Sequence, residues 1–330
     1  MTNAISEAQA IRFYETGGPE VLRWETVEVP EPGRGEVCVR HAAVGLNFAD
    51  TYFRTGLYPA ELPAGMGVAG AGIVTAIGAD VDTVRPGDRV TYTGSPLGAY
   101  STERVLDAEH LLALPDSISF DTAAAMTMRG LTAAYLLRRI WPLHAGDTVL
   151  LHAAAGGVGL IVSQWAALLG IRVIGTVSTD EKAAIARDRG CAEVIVHTRE
   201  DVATRVRELT DGRGVTAAFD SVGAATYATS LASVARRGIV VCFGTASGPI
   251  PPIDAMQLAI HGSAYVTRPA LADYIADPDE RAALAGELFG HVAAGDITID
   301  IDRSYELADA AGAHRDLESG RLVGSSIFHI

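Results

Sequence analysis

Apolar and polar positions follow two rhythms along this chain, and the change of rhythm comes after Pro115. Before it, residues 36–43 alternate, with Val37, Val39 and His41 set against Glu36, Cys38 and Arg40. A period of two predicts a half-buried strand. Residues 71–77 and 89–93 read as further short strands. Gly17-Gly18-Pro19, the stretch 30–35 and Pro86-Gly87-Asp88 punctuate them, as turn residues do in an irregular barrel-like domain. After Pro115 the alanine-rich segment 121–135 reads as a helix. From Thr148 onward apolar strands (148–153, 172–177, 194–197, 217–220, 238–243) alternate with helical stretches (157–169, 179–189, 200–210, 227–233). Repeated β-α units with short connections predict a parallel, doubly wound sheet. Beyond Pro269 come an amphipathic helix (282–294), a second helix (309–319) and a terminal strand (325–330). These pieces lack a core of their own and are expected to return to the first domain. The expected division is 1–130, 131–268 and 269–330.

Composition narrows the class. The chain has 330 residues, 48% of them hydrophobic and 20% charged, which suits a globular protein of two domains. A net charge of -14 argues against affinity for nucleic acid or an anionic membrane. The most apolar run, 156–170, is interrupted by glycines, Ser163 and Gln164, and reads as a buried helix rather than a span. The first ten residues carry Glu7 and no apolar stretch, unlike a signal peptide, so a cytoplasmic location is expected. Cys38, Cys191 and Cys242 form no C-x-x-C pair and read as single buried thiols. The nine histidines have no Cys or Glu at ligand spacing, so no metal site is expected.

The chemistry concentrates in Ala153-Ala154-Ala155-Gly156-Gly157-Val158-Gly159. This window fits G-x-G-x-x-G with alanine in the first place, directly after an apolar strand and opening a helix. Gly156 lets the backbone approach a pyrophosphate, and Gly159 lets the helix pack near the strand. The free N–H groups and dipole of that helix favour a diphosphate. Roughly 20 residues further on, an Asp or Glu would bind a ribose 2′-OH. Ser178 and Thr179 stand there instead, followed by Asp180 and Glu181, which read as first-turn helix acids. Ser178 and Glu181 have the spacing of a capping box. A hydroxyl together with Lys182 would suit a 2′-phosphate, although on spacing alone Lys182 reads equally well as a solvated helix lysine. In the first domain, Asn47 to Tyr52, with Arg54 and Tyr58, form a polar cluster before a Gly-Leu-Tyr-Pro turn. It reads either as part of a cleft or as a helix cap served by Asn47 or Asp50.

These motifs, with Gly17-Gly18-Pro19-Glu20-Val21-Leu22, Gly45-Leu46-Asn47-Phe48, Asp220-Ser221-Val222-Gly223, Phe243-Gly244 and Tyr265-Val266-Thr267-Arg268-Pro269, make the chain resemble a known family. It is the NADPH:quinone oxidoreductase (zeta-crystallin-like) branch of the zinc-free medium-chain dehydrogenases/reductases. The resemblance runs from about Phe13 to the end. It implies a Rossmann domain inserted in a GroES-like, β-rich catalytic domain, NADP(H) in the cleft between them, and a homodimer. By position it implies cofactor contacts from Phe48, Ala49, Asp50, Thr51 and Tyr52 on the nicotinamide side. Tyr135, Gly156, Gly157 and Val158 would flank the phosphates, and Ser178, Thr179, Lys182 and His197 the 2′-phosphate. Ser221 and Val222 would lie near the adenosine. Gly244, Thr245, Ala246, Ser247, Gly248, Pro269, Ala270 and Leu271 would approach the nicotinamide, with Ser319 a looser match. Tyr52 is the candidate proton donor or orienter, with Asn47 and Asp50 positioning the ribose. Two departures stand out: His197 replaces a family tyrosine, and Ala69 a family glutamate. Gly67-Val68-Ala69 also takes the place of the Gly-His-Glu of zinc-dependent relatives.

The resemblance implies hydride transfer from NADPH to a quinone. A reductase of α,β-unsaturated carbonyls on the same scaffold is the alternative. A non-enzymatic NADPH-binding crystallin or RNA-binding protein is the reading from another class, which the acidic charge disfavours.

Overall fold

The structure is a computed structural model that describes residues 4–94 and 96–330. The first stretch holds β1 (Ala4–Phe13), β2 (Arg23–Pro30) and β3 (Glu36–Leu46), then α1 (Phe48–Arg54), β4 (Ala64–Gly65), β5 (Ala69–Ile77), β6 (Arg89–Thr93), β7 (Glu103–Asp107) and β8 (Leu112–Ala113). A long helix, α2 (Phe120–Arg138), leads to the alternating part: β9 (Thr148–Leu151), α3 (Gly157–Leu168), β10 (Arg172–Val177), α4 (Asp180–Asp188), β11 (Glu193–Val196), α5 (Val202–Leu209), β12 (Val215–Asp220), α6 (Tyr227–Ser233) and β13 (Val234–Cys242). It continues through α7 (Ala255–Ile260), β14 (Tyr265–Thr267), α8 (Leu271–Tyr274) and α9 (Pro278–Ala294). The chain closes with β15 (Ile301–Glu306), α10 (Ala310–Glu318) and β16 (Ser325–His329).

Two compact units result. The first comprises the chain up to Arg129 together with Ala285–Ala293 and Ile299–Ile330; the second comprises Gly130–Leu284 and Ala294–Thr298. Residues 269–284 were expected to return to the first unit. They belong to the second, where β14 pairs in parallel with β13 and Tyr274 of α8 stacks on Tyr135 at 4.4 Å between ring centroids. The return happens inside α9.

In the first unit, strands run in the order β15-β16-β3-β5-β6-β8, with β7 also pairing β3, and β2-β1-β4 make a second sheet. The terminal strand β16 pairs antiparallel with β3, Phe328 opposite Val44. Ile11, Phe13, Val44, Leu46, Met66, Tyr100 and Phe328 pack with Ala310 and Ala313 of α10 into one buried cluster. The strands β1 and β2 were not foreseen. β2 buries little beyond Val29, so its pattern carries no clear apolar face.

In the second unit, six parallel strands stand in the order β11-β10-β9-β12-β13-β14. The order reverses between β9 and β12, which is where such sheets bind nucleotides, at the carboxyl ends of the strands. Leu150, Ile174, Ala218 and Val240 alternate into a core shared with Val206 of α5 and Leu231 of α6. Among the described residues no helix is long and apolar enough to cross a membrane.

Candidate active site

The parallel register gathers most of the sequence-selected cofactor residues at one edge of the second unit. Gly156, Gly157 and Val158 follow β9, Ser178 to Lys182 follow β10, and His197 follows β11. Ser221 and Val222 follow β12, residues 244–248 follow β13, and Pro269, Ala270 and Leu271 follow β14. All are strand carboxyl ends of one sheet.

Gly156 is the N-cap of α3 with φ -83° and ψ 171°, an extended conformation open to any residue. A Cβ there would meet only the Ala153 carbonyl oxygen, at 3.2 Å. The backbone therefore does not require glycine at 156. A bare cradle, next to the N–H groups of the first helical turn, does. Those first N–H groups have no intrahelical acceptor, so the turn fits a diphosphate. Gly159 is different: its Cβ would lie 2.5 and 2.6 Å from the carbonyl oxygens of Ala153 and Ala154. It serves the packing of helix on strand. Ala153 takes a positive φ of 53°, a strained conformation for a residue with a side chain.

A buried polar network braces this edge, and sequence reasoning missed it. Ser230 Oγ donates to Asp220 Oδ2 at 2.7 Å, and His152 meets Ser230 through Nε2 and Thr176 through Nδ1, each at 3.0 Å. Burial lowers the His152 pKa, so the ring is neutral. Because Ser230 spends its proton on Asp220, His152 Nε2 donates and Nδ1 accepts. The other carboxylate oxygen of Asp220 accepts from Val222 N at 2.9 Å, Gly223 N at 3.0 Å and Thr226 Oγ1 at 2.7 Å. The strand ends before and after the glycine turn are thus tied together. Ser247 links the loops after β12 and β13: its hydroxyl donates to Val222 O at 2.8 Å and accepts from Ala225 N at 3.0 Å. Gly223, at φ +94°, approaches Gly248 O so closely that a Cβ would come within 2.4 Å.

At the second strand the cap lies one residue later than expected. Thr179, not Ser178, is the N-cap of α4 and accepts from Lys182 N at 3.3 Å. Ser178 lies in the turn between β10 and that cap, and its carbonyl accepts from Thr198 Oγ1 at 3.1 Å. His197 follows β11 and donates its N–H to Val177 O at 3.0 Å, so the β10 and β11 turns lie side by side. Tyr135 is buried against Tyr274 rather than standing on a strand end.

The first unit holds the polar cluster on α1. Asn47 is its N-cap, and Asp50 Oδ2 reaches back to accept from Asn47 N at 2.7 Å. Asn47 Nδ2 donates to Gly45 O at 3.2 Å, whereas Asn47 Oδ1 is buried with no partner within the protein. A buried acceptor without a well-formed hydrogen bond is costly. Tyr52 is nearly buried, its ring 6.1 Å from Phe48 and edge-on to Tyr58 at 5.2 Å. Phe48 and Ala49 are half-buried, and Thr51 Oγ1 donates to Phe48 O at 2.7 Å.

Asp50 itself is fully buried. It faces inward, accepting from Tyr100 Oη at 2.8 Å as well as from Asn47 N. Burial pushes its pKa up to about 7, against the pull of those two donors and of the Arg129 charge. Arg129 is also buried, and donates to Ala125 O at 2.8 Å and to Leu46 O. Tyr100 Oη meets His314 Nε2 at 3.3 Å, and His314 Nδ1 accepts from Arg54 Nη1 at 3.0 Å. Arg54 grips Glu318 with two bonds of 3.1 and 2.6 Å. Asp50 thus ties Asn47 N and Tyr100 through Oδ2, while its Oδ1 is buried without a hydrogen-bond partner in the protein. Ser319 caps α10; its hydroxyl donates to Asp316 O at 2.6 Å and accepts from Arg321. It is committed to the helix end.

The chain is similar to known proteins over nearly its full length. The profile of the alcohol dehydrogenase GroES-like domain matches residues 33–116, and that of the zinc-binding dehydrogenases matches residues 157–277. A quinone oxidoreductase from Pseudomonas aeruginosa is 51% identical over 321 residues, 97% of this chain and 99% of the relative. The crystal structure of the Escherichia coli quinone oxidoreductase complexed with NADPH superposes with a TM-score of 0.96 at 43% identity, covering 98% of this chain and 100% of the other. A 2-haloacrylate reductase from a Burkholderia species is 40% identical over 322 residues, 96% of this chain and 97% of the relative. Among the described residues no three His, Cys, Asp or Glu side chains gather to hold a metal. The zinc in the name of one matching profile has no such cluster among the described residues.

Proposed function

This chain belongs to the quinone oxidoreductases of the zinc-free medium-chain dehydrogenase/reductase superfamily, and from that premise we infer that it reduces quinones with NADPH. The observation that carries this reading is the glycine turn at the point where the parallel sheet reverses its strand order. It leaves a bare cradle at Gly156, and the second strand is followed directly by Ser178 and Thr179 rather than by an acid. The strand-end residues of the second unit bind the cofactor: Gly157 and Val158 the diphosphate, Ser178, Lys182 and His197 the 2′-phosphate. NADPH supplies the hydride when bound.

The protein's own part is to bind, orient and exclude water. Asn47 Oδ1, buried and unpaired, accepts a hydrogen bond from the reacting end of the cofactor. Asp50 holds the Asn47 backbone in place from behind. Tyr52, framed by Phe48 and Tyr58, orients the acceptor or donates the proton that completes a hydroquinone. The test is steady-state kinetics of Tyr52→Phe on a series of quinones. A proton-donor role predicts a lower kcat with little change in the KM for NADPH. Unchanged turnover on every quinone would remove that role and leave Tyr52 as packing.

A second acceptor class has one specific observation behind it, the relative named 2-haloacrylate reductase. A panel of quinones against α,β-unsaturated carbonyls separates the two. The working form is a homodimer: β14 is an edge strand with Tyr265 exposed, and Met256 and Ile260 of the neighbouring α7 are among the most exposed large apolar side chains. Three buried free thiols suit a reducing cytoplasm. The net charge of -14 speaks against nucleic acid as a partner.

A further inference from the structure

The turn after β10 carries a carboxylate that a 2′-phosphate would not tolerate unaided. Asp180 is the first residue of α4, one past the Thr179 cap and two past Ser178. An acidic side chain at the end of the second strand is what selects NAD in this fold, by holding the ribose 2′-OH and repelling a phosphate. Here the carboxylate is clamped from the neighbouring turn. Arg199 donates Nη1 to Asp180 Oδ2 at 2.7 Å and Nη2 to Asp180 Oδ1 at 2.6 Å. Arg199 is set in position by its own backbone, which donates to Val196 O at 2.9 Å, and by the Thr198–Ser178 hydrogen bond that joins the two turns. Both partners are exposed, with side-chain accessibilities of 58% and 66%. A surface pair of this kind contributes little to stability. Its consequence is local: it cancels a negative charge at the place where the cofactor's extra phosphate is read.

We propose that Arg199 makes NADPH the accepted cofactor by neutralising Asp180, and that the Arg199–Asp180 pair is a selectivity determinant of this chain. The proposal rests on the assignment of Ser178, Lys182 and His197 to the 2′-phosphate. With Arg199 removed, the Asp180 carboxylate regains its full charge on the turn that meets a doubly negative phosphate. NADH, which lacks the phosphate, meets no such penalty.

The experiment is equilibrium titration of the protein with NADPH and with NADH, without acceptor, followed by cofactor fluorescence. Four forms are compared: the parent, Arg199→Ala, Arg199→Ala with Asp180→Ala, and Lys182→Ala. Arg199→Ala is expected to raise the Kd for NADPH by about threefold to tenfold, as a unit charge screened by water allows, and to leave that for NADH within about twofold. The double variant is expected to recover most of the NADPH affinity. If the double variant stays as weak as Arg199→Ala, Arg199 is itself a phosphate ligand and neutralisation is overturned. If Arg199→Ala affects neither cofactor while Lys182→Ala weakens NADPH alone, the phosphate assignment stands and the pair is irrelevant. Should Lys182→Ala weaken both cofactors equally, and the parent bind both alike, the phosphate assignment fails and the inference with it.

Discussion

The two glycines of the cofactor turn look interchangeable in sequence and differ in physical role. At 159 the obstacle to a side chain is backbone: two carbonyl oxygens at 2.5 and 2.6 Å that cannot move without shifting β9 from α3. Gly159→Ala is therefore expected to cost about 1–3 kcal/mol of stability, as overpacking does. At 156 the backbone is ordinary and a Cβ would meet only one atom, the Ala153 carbonyl oxygen at 3.2 Å, which a small shift can relieve. Gly156→Ala should unfold at nearly the parent temperature yet bind NADPH much more weakly, because its methyl group fills the cradle. Thermal unfolding and NADPH titration of both variants check this; a large loss of melting temperature in Gly156→Ala would contradict it. The residue scale is also where sequence reading stops short. Asn47, Asp50 and Tyr52 stand out as a polar cluster in the sequence, but only folding reveals that Asn47 Oδ1 is left unsatisfied and that Asp50 points inward.

Among the elements, α1 shows how a short helix is made firm. Seven residues cannot hold a helix by themselves in water. This one is closed at its start by Asp50 on the Asn47 N–H and pinned at its end by Arg54. Arg54 also donates through Nε to Gly17 O at 3.1 Å, so it binds together the N-terminal turn, α1 and α10. Its side chain is almost wholly buried, whereas that of Glu318 is 35% exposed. Removing the buried cation leaves His314 and Glu318 without their donor. Arg54→Ala is expected to destabilise the protein by about 2–4 kcal/mol, because it empties a large buried site and removes the donor of bonds to Gly17, His314 and Glu318. Glu318→Gln keeps an acceptor and is expected to cost about 1–2 kcal/mol. Denaturant unfolding of the two variants checks the order, and an equal effect would mean that Arg54 contributes mainly by filling space. None of this was legible in the sequence. Arg54 and His314 stand 260 residues apart, and no local spacing rule links them. In the second unit, β9 to β13 and α3 to α6 were legible, since each β-α unit carries its own periodicity and turn residues, whereas the short α7, β14 and α8 were not.

Over the whole molecule, buried titratable groups set how stability responds to acid. Burial lowers the pKa of His41 to about 4, and burial with the Arg54 charge lowers that of His314 to about 3, from an ordinary 6.5. In the unfolded chain both histidines bind protons as pH falls through 6.5, while the native chain does not. Their contribution is complete above that value and is lost progressively between pH 6.5 and 3–4. Asp50 acts in the opposite sense. Its native pKa of about 7 lies above the ordinary 3.8, so its contribution is complete below 3.8 and fades as pH rises to about 7. Acidification from neutrality therefore weakens the protein through the histidines and is partly offset by Asp50. Two variants separate these effects. Between pH 7.5 and 4.5, His314→Gln should lose less melting temperature than the parent, and Asp50→Asn should lose more. Parallel curves for parent and His314→Gln would mean that this ring does not titrate differently in the two states.

What the sequence determined alone was local and periodic: five of the six strands of the nucleotide unit, the glycine turn, the hydroxyls Ser178 and Thr179 directly after the second strand, and the motifs shared with the quinone oxidoreductases. These can be read because each is written within one β-α unit, where spacing maps directly onto geometry. Only the tertiary structure decided where the second unit ends, inside α9 rather than at Pro269. It likewise decided that Asp50 is buried against Asn47 N and Tyr100, that His152, Ser230 and Asp220 brace the turn, and that Arg199 pairs with Asp180. Those features depend on which side chains meet across distant segments, and a partner supplied by another strand or helix leaves no mark on the spacing of either.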